Sequence, residues 1–146
     1  MALAYLSLSS NDADPLGRIE DAERHVAALN SVSVLSRSRE RKAASGKPRQ
    51  RDYLYRVIGI ETSLKAQALL DVVIEIEAGM GRDHAEVWGP RLIDIDILTY
   101  DDIEIRSSRL CLPHAFAHSR PYVLEPLSEI APGVADWVVK VGTKPR

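Results

Sequence analysis

Apolar residues follow two different spacings along most of the chain. Continuous or alternating apolar runs, which are typical of β-strands, occupy residues 3–8, 32–34, 53–62, 92–99 and 103–105. A spacing of three to four residues, typical of one face of a helix, follows Pro15 and follows Ser63. The resulting order is β-α-β-β-α-β. It predicts an α+β, ferredoxin-like fold, in which two helices pack on one face of an antiparallel sheet.

Both predicted helices have candidate capping residues at their ends. Asp14 can accept a backbone hydrogen bond ahead of Pro15, whose missing N–H is harmless at the first helical position. Ser63 is the candidate cap of the second helix, and Gly79 and Gly81 can end it. Beyond Pro113 several prolines and mixed signals leave the tail without an assigned element.

Composition narrows the class of protein. The chain has 146 residues, of which 45% are apolar and 27% charged, and this balance is typical of one globular domain covering residues 1–146. A single cysteine, Cys111, excludes an internal disulfide, and no apolar run is long enough to span a bilayer. The first ten residues lack the basic segment of a signal peptide. We therefore expect a cytoplasmic, monomeric protein without a membrane partner.

Charge is unevenly distributed, although the formal net charge is only −2. Residues 37–51 contain seven basic side chains and one acidic side chain, Glu40. No aromatic residue lies in this segment to stack on a base, so a solvated loop is favoured over a nucleic-acid site. We expect small-molecule ligands and no nucleic-acid partner.

Two aspartates on one predicted strand are the strongest local indication of chemistry. Asp94 and Asp96 point to the same face of the strand, while the alternating isoleucines point to the other. Carboxylates about 7 Å apart repel each other, and a divalent cation relieves that repulsion. All-oxygen ligands suit Mg²⁺, which takes one or two carboxylates and completes its shell with water and substrate phosphates. A solvent-facing acidic edge strand is the alternative interpretation.

Basic residues near this pair suit a phosphate-bearing substrate. Arg82 and Arg91 lie in the segment before Asp94, and guanidinium groups match phosphate oxygens in shape and charge. His114 follows a proline and is flanked by Arg109 and Arg120, so it is a candidate phosphate contact, with a surface histidine as the alternative. Phosphoryl transfer depends mostly on positioning and charge neutralisation, which these residues can supply. The glycine-rich phosphate loop of many nucleotide-binding proteins is absent from the sequence.

Tyrosines form the third candidate group. Tyr53, Tyr55 and Tyr122 are three of the eight aromatic residues of the chain. Ordinary packing accounts for any one of them, but two that face each other would form a slot for a flat heterocycle.

Together these residues resemble the 6-hydroxymethyl-7,8-dihydropterin pyrophosphokinase family of folate synthesis, over about residues 4–132. The most specific part of the resemblance is the pattern W-G-P-R-x-x-D-x-D at 88–96. It is supported by the Leu/Pro/His stretch at 110–114, which reads Leu110-Cys111-Leu112-Pro113-His114. Further support comes from Asp52-Tyr53-Leu54 and Glu125-Pro126-Leu127. The family fold is ferredoxin-like, in agreement with the element order.

The resemblance implies a role for each matching residue. Asp94 and Asp96 would bind two Mg²⁺ ions that bridge the phosphates of the co-substrate ATP, and AMP would leave after the pterin oxygen attacks the β-phosphorus. Arg82 and Arg91 would assist catalysis from loops, and residues 82–90 are expected to be mobile without ligand. The positions implied to contact ATP are Glu77, Trp88, Arg91, Arg109, His114 and Arg120. The positions implied to contact the pterin are Ala43, Ala44, Ser45, Tyr53, Tyr55 and Tyr122.

The pterin half of the motif departs from the family more than the phosphate half. Tyr55 stands where the family has an asparagine that hydrogen-bonds the pterin, and residues 42–44 read Lys-Ala-Ala where the family has Thr-Pro-Pro. His84 and Val87 replace common arginines. Two alternatives to the ordinary enzyme follow: a divergent relative acting on another pterin, and a catalytically silent nucleotide- or pterin-binding module.

Overall fold

The structure is a computed structural model that describes residues 1–81 and 92–144. Its strands are β1 (Ala2–Ser10), β2 (Val32–Arg37), β3 (Arg41–Ala43), β4 (Tyr53–Thr62), β5 (Asp94–Tyr100), β6 (Ile105–Arg106) and β7 (Cys111–Leu112). Its α-helices are α1 (Pro15–Ala27), α2 (Ala66–Gly79), α3 (Pro121–Ile130) and α4 (Pro132–Gly142), and a short 3-10 helix covers Ala117–Ser119.

The main sheet has the strand order β2-β4-β1-β5, with β3 also pairing with β4. Every pairing in it is antiparallel, and β1 lies between β4 and β5 along most of its length. This order, with α1 and α2 connecting the strands, confirms the predicted ferredoxin-like class. Strands β6 and β7 form a separate antiparallel pair.

One face of the sheet packs against α1 and α2. Alternate residues of β1, among them Leu6 and Leu8, are fully buried there together with Ile58 and Ile60 of β4. Ile19 of α1 and Leu69 of α2 are buried in the same cluster. The helical spacing in the sequence therefore predicts correctly which side of each helix faces the sheet.

The other face of the sheet is covered in part by α3 and α4, which the sequence pattern did not predict. Tyr5, Val57 and Leu98 project from three strands into a second buried cluster, where they meet Leu127 of α3 and Val138 of α4. Two additional helices thus make a third layer behind the expected two. Within the described residues, no helix is both long and apolar enough to cross a membrane.

Two predictions about element ends have different outcomes. Asp14 caps α1 as predicted, since its side chain accepts a hydrogen bond from the Gly17 N–H at 3.2 Å. Ser63 does not cap α2: the helix begins at Ala66, and the Ser63 N–H instead donates to the Ser31 carbonyl at 3.1 Å. That bond keeps Ser63 at the end of the sheet, which explains why the helix begins later.

The segment after β5 also differs from the prediction. A strand was predicted at 103–105, but the Ile103 N–H donates to the Tyr100 carbonyl at 3.2 Å and closes a turn. Asp101 has a φ of 49° in this turn. The next strand therefore begins only at Ile105.

Candidate active site

The register of three neighbouring strands brings the candidate residues onto one face. Ser9 in the middle strand β1 lies opposite Asp94 of β5 on one side and opposite Tyr55 of β4 on the other. Ser7 lies opposite Asp96 in the same way. Residues that face each other in adjacent strands project from the same side of the sheet, so both aspartates and Tyr55 share a face. It is the face opposite α1 and α2.

A cavity of about 610 Å³ opens on this face. Its volume lies within the range of small-molecule sites, about 300–1,000 Å³. The sequence-predicted residues that line it are Tyr53, Tyr55, Asp94, Asp96, Arg109, His114, Arg120 and Tyr122. Residues that are up to 69 positions apart in the sequence, from Tyr53 to Tyr122, therefore meet in one place.

The two aspartates are presented to the cavity by the alternation of β5. Asp94 and Asp96 are half-buried, whereas Ile95 and Ile97 are buried on the α1 and α2 side. Among the described residues, no three acidic, histidine or cysteine side chains form a group that could hold a metal ion. Two carboxylates without a full protein cage fit Mg²⁺, which retains water and substrate phosphates as its remaining ligands. They do not fit a structural zinc site, which needs four protein ligands.

Glu77 lies behind the strand and is absent from the cavity lining. Its side chain is buried, and its carboxylate Oε2 accepts a hydrogen bond from the Ile95 N–H at 2.8 Å. The resemblance places Glu77 in contact with ATP, and the structure places it in contact with the backbone between Asp94 and Asp96.

His114 is held in the cavity wall by its backbone and its ring. Its N–H donates to the Leu98 carbonyl at 2.8 Å, and its Nδ1 accepts a hydrogen bond from the Phe116 N–H at 3.3 Å. Burial lowers the pKa of His114, against a raising effect of nearby Asp96, and Arg120 lowers it further. The ring is therefore neutral at pH 7, and a neutral ring with Nδ1 as acceptor carries its proton on Nε2.

Two arginines add positive charge to the cavity. The Arg109 guanidinium donates to Gln67 Oε1 at 2.8 Å and forms an ion pair with Asp71, both on α2. The Arg120 guanidinium carbon lies 5.2 Å from the centre of the Phe116 ring, in a cation–π contact. Cationic groups that share a cavity with two carboxylates suit a ligand that brings both phosphate groups and a divalent cation.

The tyrosines form an aromatic cluster in the cavity wall. The ring centres of Tyr55 and Tyr122 lie 4.6 Å apart at an interplanar angle of 43°, and those of Tyr53 and Tyr55 lie 6.0 Å apart. Burial, and to a smaller extent the proximity of Tyr122, raises the pKa of Tyr55, so its hydroxyl stays protonated at neutral pH. Tyr55 lines the cavity and its ring contacts those of Tyr53 and Tyr122.

The candidate pterin loop lies beside this cluster. Ala43 ends β3 opposite Tyr53, and the Ser45 Oγ donates to the Lys47 carbonyl at 3.2 Å. Ala43, Ala44 and Ser45 do not line the cavity, whereas Lys47 does. At the far end of the loop, the Asn11 side chain donates to Gln50 Oε1 at 3.1 Å and ties the loop to the end of β1.

Sequence reasoning missed several residues of the cavity wall. Phe116 lines the cavity with 56% of its surface exposed, and Ser9, Lys47 and Cys111 line it as well. Phe116 gave no signal in the sequence, because single exposed apolar side chains are common on protein surfaces. Ser9 could be found only through the register of β1.

Three predicted site residues lie outside the described residues: Arg82, Trp88 and Arg91. The predicted mobility of residues 82–90 concerns the same segment.

The fold and the cavity together define a class: an α+β protein of ferredoxin-like fold, in which acidic, cationic and aromatic side chains line one ligand-sized cavity. Comparison with known protein families identifies the family to which the chain belongs. The model of the 7,8-dihydro-6-hydroxymethylpterin-pyrophosphokinase (HPPK) family matches residues 5–132, and the chain belongs to this family. It is accordingly an enzyme, a kinase-type transferase of the pyrophosphokinase group.

Curated relatives carry the same activity in their names. A 2-amino-4-hydroxy-6-hydroxymethyldihydropteridine pyrophosphokinase of Methylorubrum extorquens is 41% identical over 133 residues, covering 90% of this chain and 84% of its own. A protein of the same name from Haemophilus influenzae is 36% identical over 132 residues, covering 90% and 82%.

A solved structure supports the fold independently of sequence. The HPPK-DHPS of Plasmodium falciparum, crystallised with pteroate, matches 87% of this chain with a TM-score of 0.70 and a sequence identity of 13%. This chain spans 38% of the length of that chain, and at this identity the likeness concerns the fold alone.

Proposed function

We propose that the chain transfers pyrophosphate from ATP to the hydroxymethyl group of 6-hydroxymethyl-7,8-dihydropterin in a Mg²⁺-dependent reaction of folate biosynthesis. AMP is the second product. The observation that carries this proposal is the single sheet face on which Asp94 and Asp96 lie next to the Tyr55 and Tyr122 pair. A phosphate-type subsite and a flat-ring subsite thereby share one cavity.

The transfer balances as a displacement at the β-phosphorus. The pterin hydroxymethyl oxygen forms a bond to that phosphorus and loses its proton to solvent. The bond from the β-phosphorus to the α,β-bridging oxygen breaks, and this oxygen leaves with AMP. Because the reaction needs little covalent chemistry from the protein, its residues act by positioning the two substrates and neutralising charge.

Asp94 and Asp96 would hold the magnesium ions of the reaction. Bound Mg²⁺ supplies charge neutralisation on the phosphate oxygens as the bridging bond breaks. The two carboxylates keep their direction because β5 alternates them with the buried Ile95. Replacing either aspartate should therefore affect catalysis far more than folding.

The cationic side of the cavity would bind the triphosphate. Arg109 and Arg120 can donate to phosphate oxygens, and neutral His114 can donate from Nε2. By their family positions, Arg82, Arg91 and Trp88 would join this site. The resemblance implies an ATP contact for Glu77 as well, but the Glu77 carboxylate accepts the Ile95 N–H and does not line the cavity. Arg82 and Arg91 are the two we assign to catalysis.

The aromatic side of the cavity would bind the pterin. Tyr53 and Tyr122, which both line the cavity, supply faces on which a flat ring can stack. The loop residues Ala43–Ser45 lie next to Tyr53 and would cover the ring.

Formation of AMP in the presence of both substrates tests the proposal. The chain, ATP and Mg²⁺ should yield AMP only when the dihydropterin is added. The Asp96→Asn variant should fold normally, as judged by its unfolding midpoint, and lose at least about a hundredfold in turnover, as expected when a charge-neutralising group is lost. AMP formation by Asp96→Asn at the wild-type rate would reject the proposed site.

One observation favours a second candidate, in which the same chemistry acts on a different pterin. Tyr55 lies against Tyr122 where a flat ring would stack, and Lys47 adds a cation to the cavity lining. A panel of pterins in the AMP assay separates the candidates, since an anionic or substituted pterin would then exceed the standard one in kcat/KM. No AMP with any pterin, from protein that still binds ATP, would indicate a silent binding module.

A further inference from the structure

Glu77 occupies an unusual place for a carboxylate. It lies on α2 in the stripe formed with Leu69 and Val73, each four residues apart, and that stripe faces the sheet. Glu77 is only 4% exposed, and a glutamate is rarely buried to this extent without a hydrogen-bonding or ionic partner. The apolar stripe ends in a charged group at the point where it reaches β5.

One partner of Glu77 is a backbone group at the edge of the sheet. Strand β5 is the last strand in the order β2-β4-β1-β5, so within residues 1–81 and 92–144 only one of its edges pairs with another strand. Along this outer edge, the N–H groups that point away from β1 have no partner in another described strand, and a buried N–H must be satisfied in another way. Glu77 Oε2 accepts the Ile95 N–H at 2.8 Å and satisfies one of these groups.

Ile95 is the residue between the two site aspartates. A hydrogen bond at its N–H restrains the peptide unit that links Asp94 to Ile95, and the alternation of the strand passes this restraint to Asp96. The Ile95 side chain is itself buried on the side from which Glu77 approaches. Backbone and side chain are therefore held from behind, while both carboxylates face the cavity.

From this geometry we infer that Glu77 is a positioning residue, which fixes the separation and direction of the Asp94 and Asp96 carboxylates from the far side of the strand. The inference rests on the proposed function for what the aspartates bind. In this role Glu77 acts on the site through the β5 backbone and does not contact ATP itself. The two roles predict different results when the acceptor and the charge of Glu77 are removed separately.

The variants Glu77→Gln and Glu77→Met separate these roles. Glutamine retains a carbonyl oxygen that can accept the Ile95 N–H, while methionine has a similar length but no comparable acceptor. Glu75 is exposed on the same helix, so Glu75→Met is the matched control. Unfolding in urea shows whether each variant is folded under the assay conditions.

Hydrogen exchange at the Ile95 amide, in protein without metal or nucleotide, is the direct readout. In Glu77→Met this amide should exchange about tenfold faster relative to its neighbours, since one hydrogen bond is lost. In Glu77→Gln and Glu75→Met its exchange should change by less than about twofold. Unchanged Ile95 exchange in folded Glu77→Met would overturn the inference, whether or not the protein makes AMP.

The second readout is the Mg²⁺ dependence of nucleotide binding, measured by calorimetry with a non-hydrolysable ATP analogue. Glu77→Met should raise the half-saturating Mg²⁺ concentration about tenfold, and Glu77→Gln should restore it to within about twofold. Binding of AMP without Mg²⁺ should be equal in all variants. Weakened AMP binding in Glu77→Gln would assign Glu77 to the nucleotide itself and reject the positioning role.

A purely structural role is distinguished by the same data. It would lower the unfolding midpoint of Glu77→Met and leave its Mg²⁺ dependence at the wild-type value, which would also reject the inference. If Glu77→Met fails to fold, a measurement on the wild-type protein tests the hydrogen bond on which the inference rests. A scalar coupling across the hydrogen bond, between the Ile95 amide nitrogen and the Glu77 carboxyl carbon, is expected, and its absence would contradict the geometry.

Discussion

Replacing Tyr55 with asparagine should strengthen binding of the standard dihydropterin. The Tyr55 ring lies 4.6 Å from the ring of Tyr122, centre to centre, within the proposed pterin subsite. A heterocycle that stacks on Tyr122 from this side must first break that contact. Asparagine removes the competing ring and supplies an amide that can pair with the donors and acceptors of a pterin.

The size of the effect follows from the contact that is lost. An aromatic pair at this distance contributes about 0.5–1.5 kcal/mol beyond its buried area. The ligand must overcome this amount in the wild-type protein but not in Tyr55→Asn, which corresponds to a factor of about 2 to 13 in Kd. A new hydrogen bond to the amide would act in the same direction, so we expect a gain of about three- to tenfold.

Calorimetric titration with the dihydropterin, in the presence of Mg²⁺ and a non-hydrolysable ATP analogue, measures this change. The control is Tyr55→Phe, which keeps the ring pair and removes only the hydroxyl, and its Kd should stay within about twofold of the wild-type value. An equal or weaker Kd in folded Tyr55→Asn would refute the reasoning and show that Tyr55 is a supporting wall of the subsite.

Three further predictions concern stability. Hydrogen bonds from the Glu40 backbone N–H and then from Arg56 lower the pKa of the Glu40 carboxyl below its ordinary value of 4.5. Ionised Glu40 therefore stabilises the fold fully above pH 4.5, and this stabilisation is lost as the pH falls through the lower pKa of the folded protein. Glu40→Gln should therefore weaken the fall of unfolding free energy in acid, and an unchanged pH profile would contradict the assignment. Arg41→Ala, which removes the half-exposed ion pair with Glu125, should cost less than about 1 kcal/mol in urea unfolding, and a larger loss would show that the pair is part of the core. Leu6→Ala removes a side chain with 0% exposure from the central strand and should cost about 2–5 kcal/mol, whereas a loss below about 1 kcal/mol would mean that the cluster repacks.

The local pattern predicted strand β4 to the residue, at Tyr53–Thr62. Its aromatic and β-branched residues favour a strand over every other element, and the flanking polar residues mark its ends. The alternation of β5 likewise placed Asp94 and Asp96 on one face, because the period of a strand is two.

The pattern did not predict α3 and α4, since their prolines read as interruptions. In the structure Pro121 and Pro132 each lie at the start of a helix, where a missing N–H removes no hydrogen bond. The tail is therefore helical, and α3 carries Tyr122 to the sheet face.

Assembly of the site depends on contacts that no local pattern contains. Tyr122 reaches Tyr55 only because α3 packs against β4, through the cluster that contains Val57 and Leu127. The partner of Glu77 depends on β5 being an edge strand, which is a property of strand order and not of sequence spacing.

Analysis of the reaction products tests the central claim most directly. Dihydropterin labelled with ¹⁸O in its hydroxymethyl group is incubated with ATP, Mg²⁺ and the protein, and the products are analysed by ³¹P NMR and mass spectrometry. The account predicts equal amounts of AMP and pterin pyrophosphate, with the label in the bridge between carbon and phosphorus. Formation of ADP with a pterin monophosphate, or label recovered in AMP, would contradict transfer of pyrophosphate to the pterin oxygen.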